Sequence, residues 1–457
     1  MGQSEPKILR MANEMSSFKW EDAPQEDLYS VCVHCGFCLE VCPTYLETGD
    51  ENESPRGRVY VIKEADKGNL ELDEAVTGPV ENCLDCRACE TVCPSGVQVG
   101  SLIEQTRGQI YFQNQEMTNQ SSGGTPAKRT LEKLFLRGIF PHPKRLRSIG
   151  KLTRLYQRSG LKYVVDKTGL AQMLPKHLQE MQAVMPSVEA KFALESLPPV
   201  IEAEGTRKAT AMLFTGCVMD VMFSKINKAT ARVCTKNGIE VHVPKRQVCC
   251  GALQVHAGDR VQARKLARTN IDVFFQSGVD YVVINAAGCG SSMKEYAELF
   301  RDDPEYRHKA EKFSESVKDI SELLIQVGLR PPQGRVERDI TYQDACHLCH
   351  AQKIRAQPRQ VLQSIPGLNL IEMSESDYCC GSAGIYNFTH PDMSGKLLNR
   401  KMGNIPSDVD GIAVGNPGCM MQLKVGAYRQ GMSLEVLHTI ELLDLAYQKE
   451  ESRVERY

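Results

Sequence analysis

Apolar positions along the chain change their spacing twice, and each change marks a different kind of element. In the C-terminal half, short apolar runs alternate with longer amphipathic ones. Ala211-Met212-Leu213-Phe214, Ile239 to Val243, Tyr281 to Asn285, Leu368 to Ile371 and Gly411 to Val414 read as strands. Between them, Asp259 to Gln276, with Val261, Ala263, Leu266, Ala267 and Ile271, has helical spacing. Strands alternating with helices predict βαβ units around parallel sheets, whose ligand sites lie beyond the carboxyl ends of the strands. In the middle of the chain Leu131, Leu134, Phe135, Leu152 and Leu155 recur at helical spacing, interrupted around Pro141 and Pro143 and preceded by the loop-like run Ser121 to Pro126. Nearer the N-terminus, Val59 to Gly68 reads as a helix.

Charge changes the picture only in the middle. The whole chain of 457 residues has 55 Lys+Arg against 57 Asp+Glu, a net charge of −2, and this balance argues for no nucleic-acid partner. From Lys128 to Lys167, however, there are twelve Lys/Arg against only Glu132 and Asp166. Two readings fit: a solvated helical face, or a docking surface for an acidic partner or an anionic membrane. A hydrophobic content of 42% excludes disordered and fibrous classes, and at roughly 150 residues per domain the length predicts three domains. No uncharged stretch reaches the roughly 18 residues of a membrane span, and the first thirty residues lack the apolar core of a signal peptide. The expectation is a cytoplasmic chain, at most peripheral on the cytoplasmic membrane.

The 18 cysteines carry the chemistry. In a reducing compartment, so many thiols in CxxCxxC and CC patterns point to metal rather than disulfides. Cys217, Cys249 and Cys289 recur 129, 130 and 130 residues on as Cys346, Cys379 and Cys419, and Gly follows a CC pair in both copies, at Cys249-Cys250 and Cys379-Cys380. This is an internal repeat. Cysteines that follow strand-like runs fall at the carboxyl edge of the sheet, so each copy is expected to gather four thiols in one cleft. These sets, Cys217, Cys249, Cys250, Cys289 and Cys346, Cys379, Cys380, Cys419, suit a further cluster or another soft metal; the alternative is buried structural thiols. Cys349 is placed to complete the second set from a different position, whereas Cys234 reads as a buried helical residue.

The remaining eight form Cys32-x2-Cys35-x2-Cys38-x3-Cys42-Pro43 and Cys83-x2-Cys86-x2-Cys89-x3-Cys93-Pro94. This is the spacing of bacterial two-cluster ferredoxins, in which a tight CxxCxxC loop supplies three thiolates to a [4Fe–4S] cube and the other motif supplies the fourth. One cluster is therefore expected on Cys32, Cys35, Cys38 and Cys93, and the other on Cys83, Cys86, Cys89 and Cys42. Zinc prefers paired ligands across longer loops. His34 and Arg56-Gly57-Arg58 lie near the clusters, as tuning groups or as plain loop residues. No phosphate-binding or dinucleotide-binding glycine loop and no HExxH motif is present, so hydride chemistry is expected on another subunit.

The doubled ferredoxin motif followed by two CCG modules resembles the iron–sulfur subunits of glycolate oxidase, over essentially the whole chain from about Cys32. Similar chains serve anaerobic glycerol-3-phosphate dehydrogenase, lactate utilisation and heterodisulfide reductase. The resemblance implies an α+β chain: an N-terminal extension at 1–30, a helical two-[4Fe–4S] ferredoxin-type domain at 31–110, a basic helical linker at 111–205, and α/β CCG repeats at 206–330 and 331–457. It further implies flavin-binding partner subunits that oxidise a 2-hydroxy acid, with this chain relaying electrons to a quinone or another acceptor and holding no catalytic residue of its own. Heterodisulfide reductase relatives end the repeat in CxxC, but here Ser292 and Gln422 replace the last cysteine, which argues against a thiol/disulfide reductase.

Overall fold

The structure is a computed structural model that describes residues 15–120, 134–169 and 176–454. The loop-like run at 121–126, with Leu131 and the start of the basic segment, lies outside them. Residues 15–120 form a helical unit around Phe18, Val59, Ile62, Val76, Leu102 and Ile103. Its helix Pro55–Asp66 begins before the Val59 read from the pattern. Ser54 accepts a hydrogen bond from the Gly57 amide (3.0 Å), and Pro55 occupies the first position, where its missing N–H costs nothing. The long helix Val99–Gln120 closes the unit.

The C-terminal half holds two α/β sheets. The first contains β1 (Val200–Ile201), β2 (Ala209–Leu213), β3 (Ile239–His242), β4 (Tyr281–Ile284) and β5 (Val317–Asp319) in the order β1-β3-β2-β4-β5, all parallel except edge strand β1. The second contains β6 (Arg338–Gln343), β7 (Leu368–Leu370), β8 (Gly411–Val414) and β9 (Glu435–Leu437) in the parallel order β7-β6-β8-β9. The parallel sheets expected from the pattern are thus present. Strands β1, β5, β6 and β9 are not among the runs read from the pattern: β1, β5 and β9 are two or three residues long with no apolar run around them, and β6, although central and six residues long, has only Ile340 and Tyr342 as apolar residues. The helix read over Asp259 to Gln276 runs Arg260–Ser277, with Asp259 as its cap.

The two repeats share a core in which Ala211, Leu213 and Val283 of one sheet join Ile340, Tyr342 and Ala413 of the other. The C-terminal helix Thr439–Val454 crosses back onto helix Ser224–Lys236 of the first repeat, where Arg232 holds Asp444 through two hydrogen bonds (2.9 and 2.6 Å). The basic segment is held to the first repeat too. Helix Pro143–Arg158 buries Leu146 against Val188, Phe192 and Val221, and Arg147 pairs with Asp220 (3.1 Å).

Candidate metal centres

The two CxxCxxC loops adopt one backbone form. His34 and Gly36 in the first, and Asp85 and Arg87 in the second, have φ of 54°, 89°, 52° and 63°. A left-handed residue on each side of the middle cysteine curls the loop into a cup. Cys32, Cys35, Cys38 and Cys93 line one cavity of about 400 Å3, and Cys42, Cys83, Cys86 and Cys89 line another of about 390 Å3. Cys89, Pro55 and Val99 line both, so the cavities share a wall. Each cavity therefore takes three thiols from one motif and the pre-proline thiol from the other, and Cys89 in the shared wall also faces the first.

The donor chemistry suits iron–sulfur cubes. Burial pushes the Cys38 thiol up to about 11 and raises Cys83, Cys86 and Cys89 as well. Such thiols lose their protons when a soft, multiply charged centre replaces solvent as the stabiliser of the thiolates. Positive charge is built in beside the second cavity. Arg58, 1% exposed, directs Nη1 at Cys42 Sγ (3.7 Å), pairs with Glu53 (2.6 Å) and donates to Thr44 and the Pro79 carbonyl. Arg56 serves the first loop differently, donating to the His34 carbonyl (3.2 Å) while pairing with Glu51 (2.6 Å). The His34 ring meets Tyr60 edge-on (6.3 Å) at the surface.

Charged residues of the second loop tie it to both CCG repeats. Arg87 is 5% exposed and reaches Asp85 (2.7 Å), Glu104 (3.1 Å) and Glu295 of the first repeat (3.4 Å). Gly100 is required beneath it, since a Cβ there would fall 1.7 Å from Arg87 Nε. Asp85 accepts from His256 Nδ1 (3.0 Å) through its carboxylate, and its carbonyl lies 2.8 Å from His347 Nε2 of the second repeat. Burial opposes charge on Asp85, yet Arg87 and the His256 hydrogen bond hold it well below the usual carboxylate range. Asp85, Glu104 and His256 converge as a metal site would, but the Arg87 guanidinium already supplies the cation there.

In each repeat the cysteines follow three adjacent strands, where the chain leaves the central strand in opposite directions. Cys217 follows β2, Cys249-Cys250 follow β3, and Cys289 follows β4; Cys346, Cys379-Cys380 and Cys419 follow β6, β7 and β8. The sulfurs form a chain in which each thiol perturbs its neighbour's proton affinity, Cys217 with Cys249, Cys249 with Cys250, and Cys250 with Cys289, and likewise Cys346 with Cys379, Cys379 with Cys380, and Cys380 with Cys419. The glycine after each CC pair has a left-handed φ, 85° at Gly251 and 81° at Gly381; a Cβ on Gly381 would sit 2.7 Å from the Ser394 carbonyl. Cys349 is not in the second chain of sulfurs, because its thiol turns back to the Cys346 carbonyl (3.7 Å). Cys234 is fully buried in a helix, and burial alone pushes its thiol up to about 12. Gln422 donates to Ser394 (2.9 Å), so it does not replace the missing thiol of CxxC.

The second ferredoxin loop abuts the second CCG set. Leu84, Cys86 and Ala88 pack with Tyr378, Cys379, Tyr386 and the partly buried Cys346. Sequence reasoning missed several residues here. Arg87, His256 and Lys401, whose Nζ is buried against the Ser376 carbonyl (3.2 Å) and faces Cys380, acquire meaning only through docking. One signal was available: the first loop spaces its cysteines with Val33-His34 and Gly36-Phe37, the second with Leu84-Asp85 and Arg87-Ala88.

These features define an iron–sulfur electron-transfer protein with a two-[4Fe–4S] ferredoxin-type domain and cysteine-rich repeats. Family models agree: residues 29–97 match a 4Fe-4S dicluster domain, residues 211–294 and 340–424 match a cysteine-rich domain, and residues 127–185 match the linker region of the glycolate oxidase iron-sulfur subunit. The chain is 40% identical over 418 residues to a probable glycolate oxidase iron-sulfur subunit of Bacillus subtilis, covering 91% of this chain and 92% of that protein. It is 31% identical over 430 residues to the glycolate oxidase iron-sulfur subunit of Escherichia coli, covering 93% and 96%. Lactate utilization protein A of Shouchella clausii is 29% identical over 234 residues, 51% of this chain and 97% of that protein. The chain belongs to the family of glycolate oxidase iron–sulfur subunits. Its place is thus the electron relay of an oxidoreductase complex, and no described helix is long and apolar enough to cross a membrane.

Proposed function

We propose that this chain carries electrons from a flavin-binding partner that oxidises a 2-hydroxy acid, with glycolate the favoured substrate, to a quinone or another acceptor, on the cytoplasmic side of the cell. Oxidation of glycolate to glyoxylate releases two electrons and two protons, and reduction of a quinone to the quinol consumes both. A [4Fe–4S] cube, when bound, supplies a one-electron carrier, so the pair of electrons travels singly. Cys32, Cys35, Cys38 and Cys93 would hold the first cube, and Cys83, Cys86, Cys89 and Cys42 the second.

The observation that carries this reading is the shared wall at Cys89, Pro55 and Val99 between one cavity that opens at the exposed Cys35 and another buried against the second CCG set. It supports a linear relay from surface to interior. The CCG sets, with four converging thiols each, are proposed as further soft-metal sites along that line. In the assembled complex, Cys35→Ser should abolish electron delivery to the acceptor while glycolate still bleaches the flavin. Undiminished acceptor reduction would refute the relay.

A further inference from the structure

Helix Pro143–Arg158 carries two apolar faces, and packing within the chain uses only one. Leu146 and Gly150 face inward; a Cβ on Gly150 would lie 2.4 Å from Val221 and 2.9 Å from Phe192. Arg147 pairs with Asp220, and Arg154 donates to the Val188 carbonyl (2.9 Å), so the helix is anchored along its length. The opposite face nevertheless presents Ile149, Leu152 and Leu155 to solvent, Leu152 65% and Leu155 63% exposed. Leu134 and Phe135 in the short helix Leu134–Ile139 before it, and Leu161, Tyr163 and Val164 in helix Leu161–Thr168 after it, are exposed too. A helix already fixed by its inner face does not need a second apolar stripe to fold.

Charge on the outer face is of one sign. At 100° per residue, Leu152 and Leu155 lie between Arg145 on one side and the row Lys144, Lys151 and Arg158, spaced seven apart, on the other. Lys151 pairs with Glu195 (3.3 Å), but Lys144, Arg145 and Arg158 pair with no carboxylate among the described residues, and no acidic residue occurs from 134 to 165. Exposed aliphatic side chains bordered by unpaired cations are the chemistry of a helix lying in the headgroup region of an anionic bilayer. An acidic protein partner would satisfy the cations but leave the leucine stripe without a matching requirement.

We infer that this helix, with Leu161 to Val164 beside it, is the surface by which the chain lies on an anionic lipid membrane. The inference is independent of which substrate or acceptor the complex uses, and its test reads lipid binding alone. The full-length, cluster-loaded chain is to be co-sedimented with vesicles of phosphatidylcholine alone and of phosphatidylcholine with phosphatidylglycerol, at low and high salt. Binding is expected only to the anionic vesicles, weakening as salt rises. Leu152→Glu with Leu155→Glu should abolish it, and Lys144→Gln and Arg158→Gln should each lower the partition coefficient roughly fivefold. These side chains are exposed, so iron content and absorption spectrum should be unchanged in every variant. Failure of the parent chain to bind anionic vesicles, or equal binding by parent and leucine variant, would overturn the inference. So would loss of flavin-subunit capture by the leucine variant with vesicle binding intact, which would make the face a protein interface.

Discussion

Arg58 and Arg56 sit two residues apart on one helix and do different work because one is buried and the other is not. Arg56 pairs with Glu51 in partial solvent, so its value is geometric: it braces the first loop through the His34 carbonyl. Arg58 and Glu53 form a buried pair, which is weak evidence for net stability but places a hydrogen-bond donor on the sulfur of Cys42, a proposed ligand of the second cluster. Hydrogen bonds to cluster sulfurs raise the reduction potential. Removing both partners, as Glu53→Gln with Arg58→Gln, avoids a lone buried charge and should lower the potential of the second cluster by on the order of 50 mV, about 1 kcal/mol for one electron. Potentiometric EPR checks this, with the first cluster as internal reference; equal potentials in parent and variant would remove Arg58 from the tuning of the site.

Between elements, the contact that joins the repeats is as consequential as the strands. His438, after β9, points Nε2 at the Asn285 carbonyl after β4 (2.8 Å) and accepts the Ile440 amide at Nδ1 (3.1 Å). Both ring nitrogens are thus committed to the neutral form, and burial pulls its pKa down from 6.5 to about 4. Above about pH 6.5 the ring is neutral in both the folded and the unfolded chain. Below that the unfolded chain takes up a proton that the folded chain refuses until about pH 4, so stability is lost as pH falls through this window. The loss should reach about 2 kcal/mol by about pH 5. Denaturant midpoints of the cluster-loaded protein at about pH 7 and about pH 5 should show a steeper acid loss for the parent chain than for His438→Gln. Parallel losses would show that another group dominates.

Across the whole molecule, Arg87 joins the domains. It stands at the junction of the ferredoxin-type unit and the first repeat, while Asp85 beside it engages both repeats. Its left-handed backbone conformation, like that of Asp85, is unfavourable by of order 1 kcal/mol, and the surrounding carboxylates offset it. Replacing it with Met strands Asp85, Glu104 and Glu295 in a low-dielectric junction at a cost of about 3–5 kcal/mol. Denaturant unfolding should then separate into two transitions, the ferredoxin-type unit releasing first. A single transition at the parent midpoint would contradict the clamp.

What could be read in the chain follows what is local. The spacings around Cys32 to Cys42 and Cys83 to Cys93, the registered CCG copies, and strands such as Tyr281–Ile284 depend on neighbours close in sequence, so periodicity and spacing reveal them. Strands β1, β5 and β9 were not legible because they lie at sheet edges with no apolar run around them, and the central β6 was not because its sequence, Arg338 to Gln343, is mostly polar and is buried only by its neighbours in the sheet. The basic segment showed its charge and helical period, but not which of its apolar residues are spent inward: Leu146 is buried and Leu152 exposed by where Phe192 and Val221 come to lie. Sequence alone determined the kind of metal chemistry, since ligand spacing within a loop is set by the geometry of the loop itself. Only the tertiary structure decided the order of the sites, with one cavity at the surface, its neighbour behind a shared wall, and a CCG set beyond. That order depends on the packing of Cys86 and Cys379 into one cluster and on pairs such as Arg87 with Glu295, between residues hundreds of positions apart, and no local pattern encodes it.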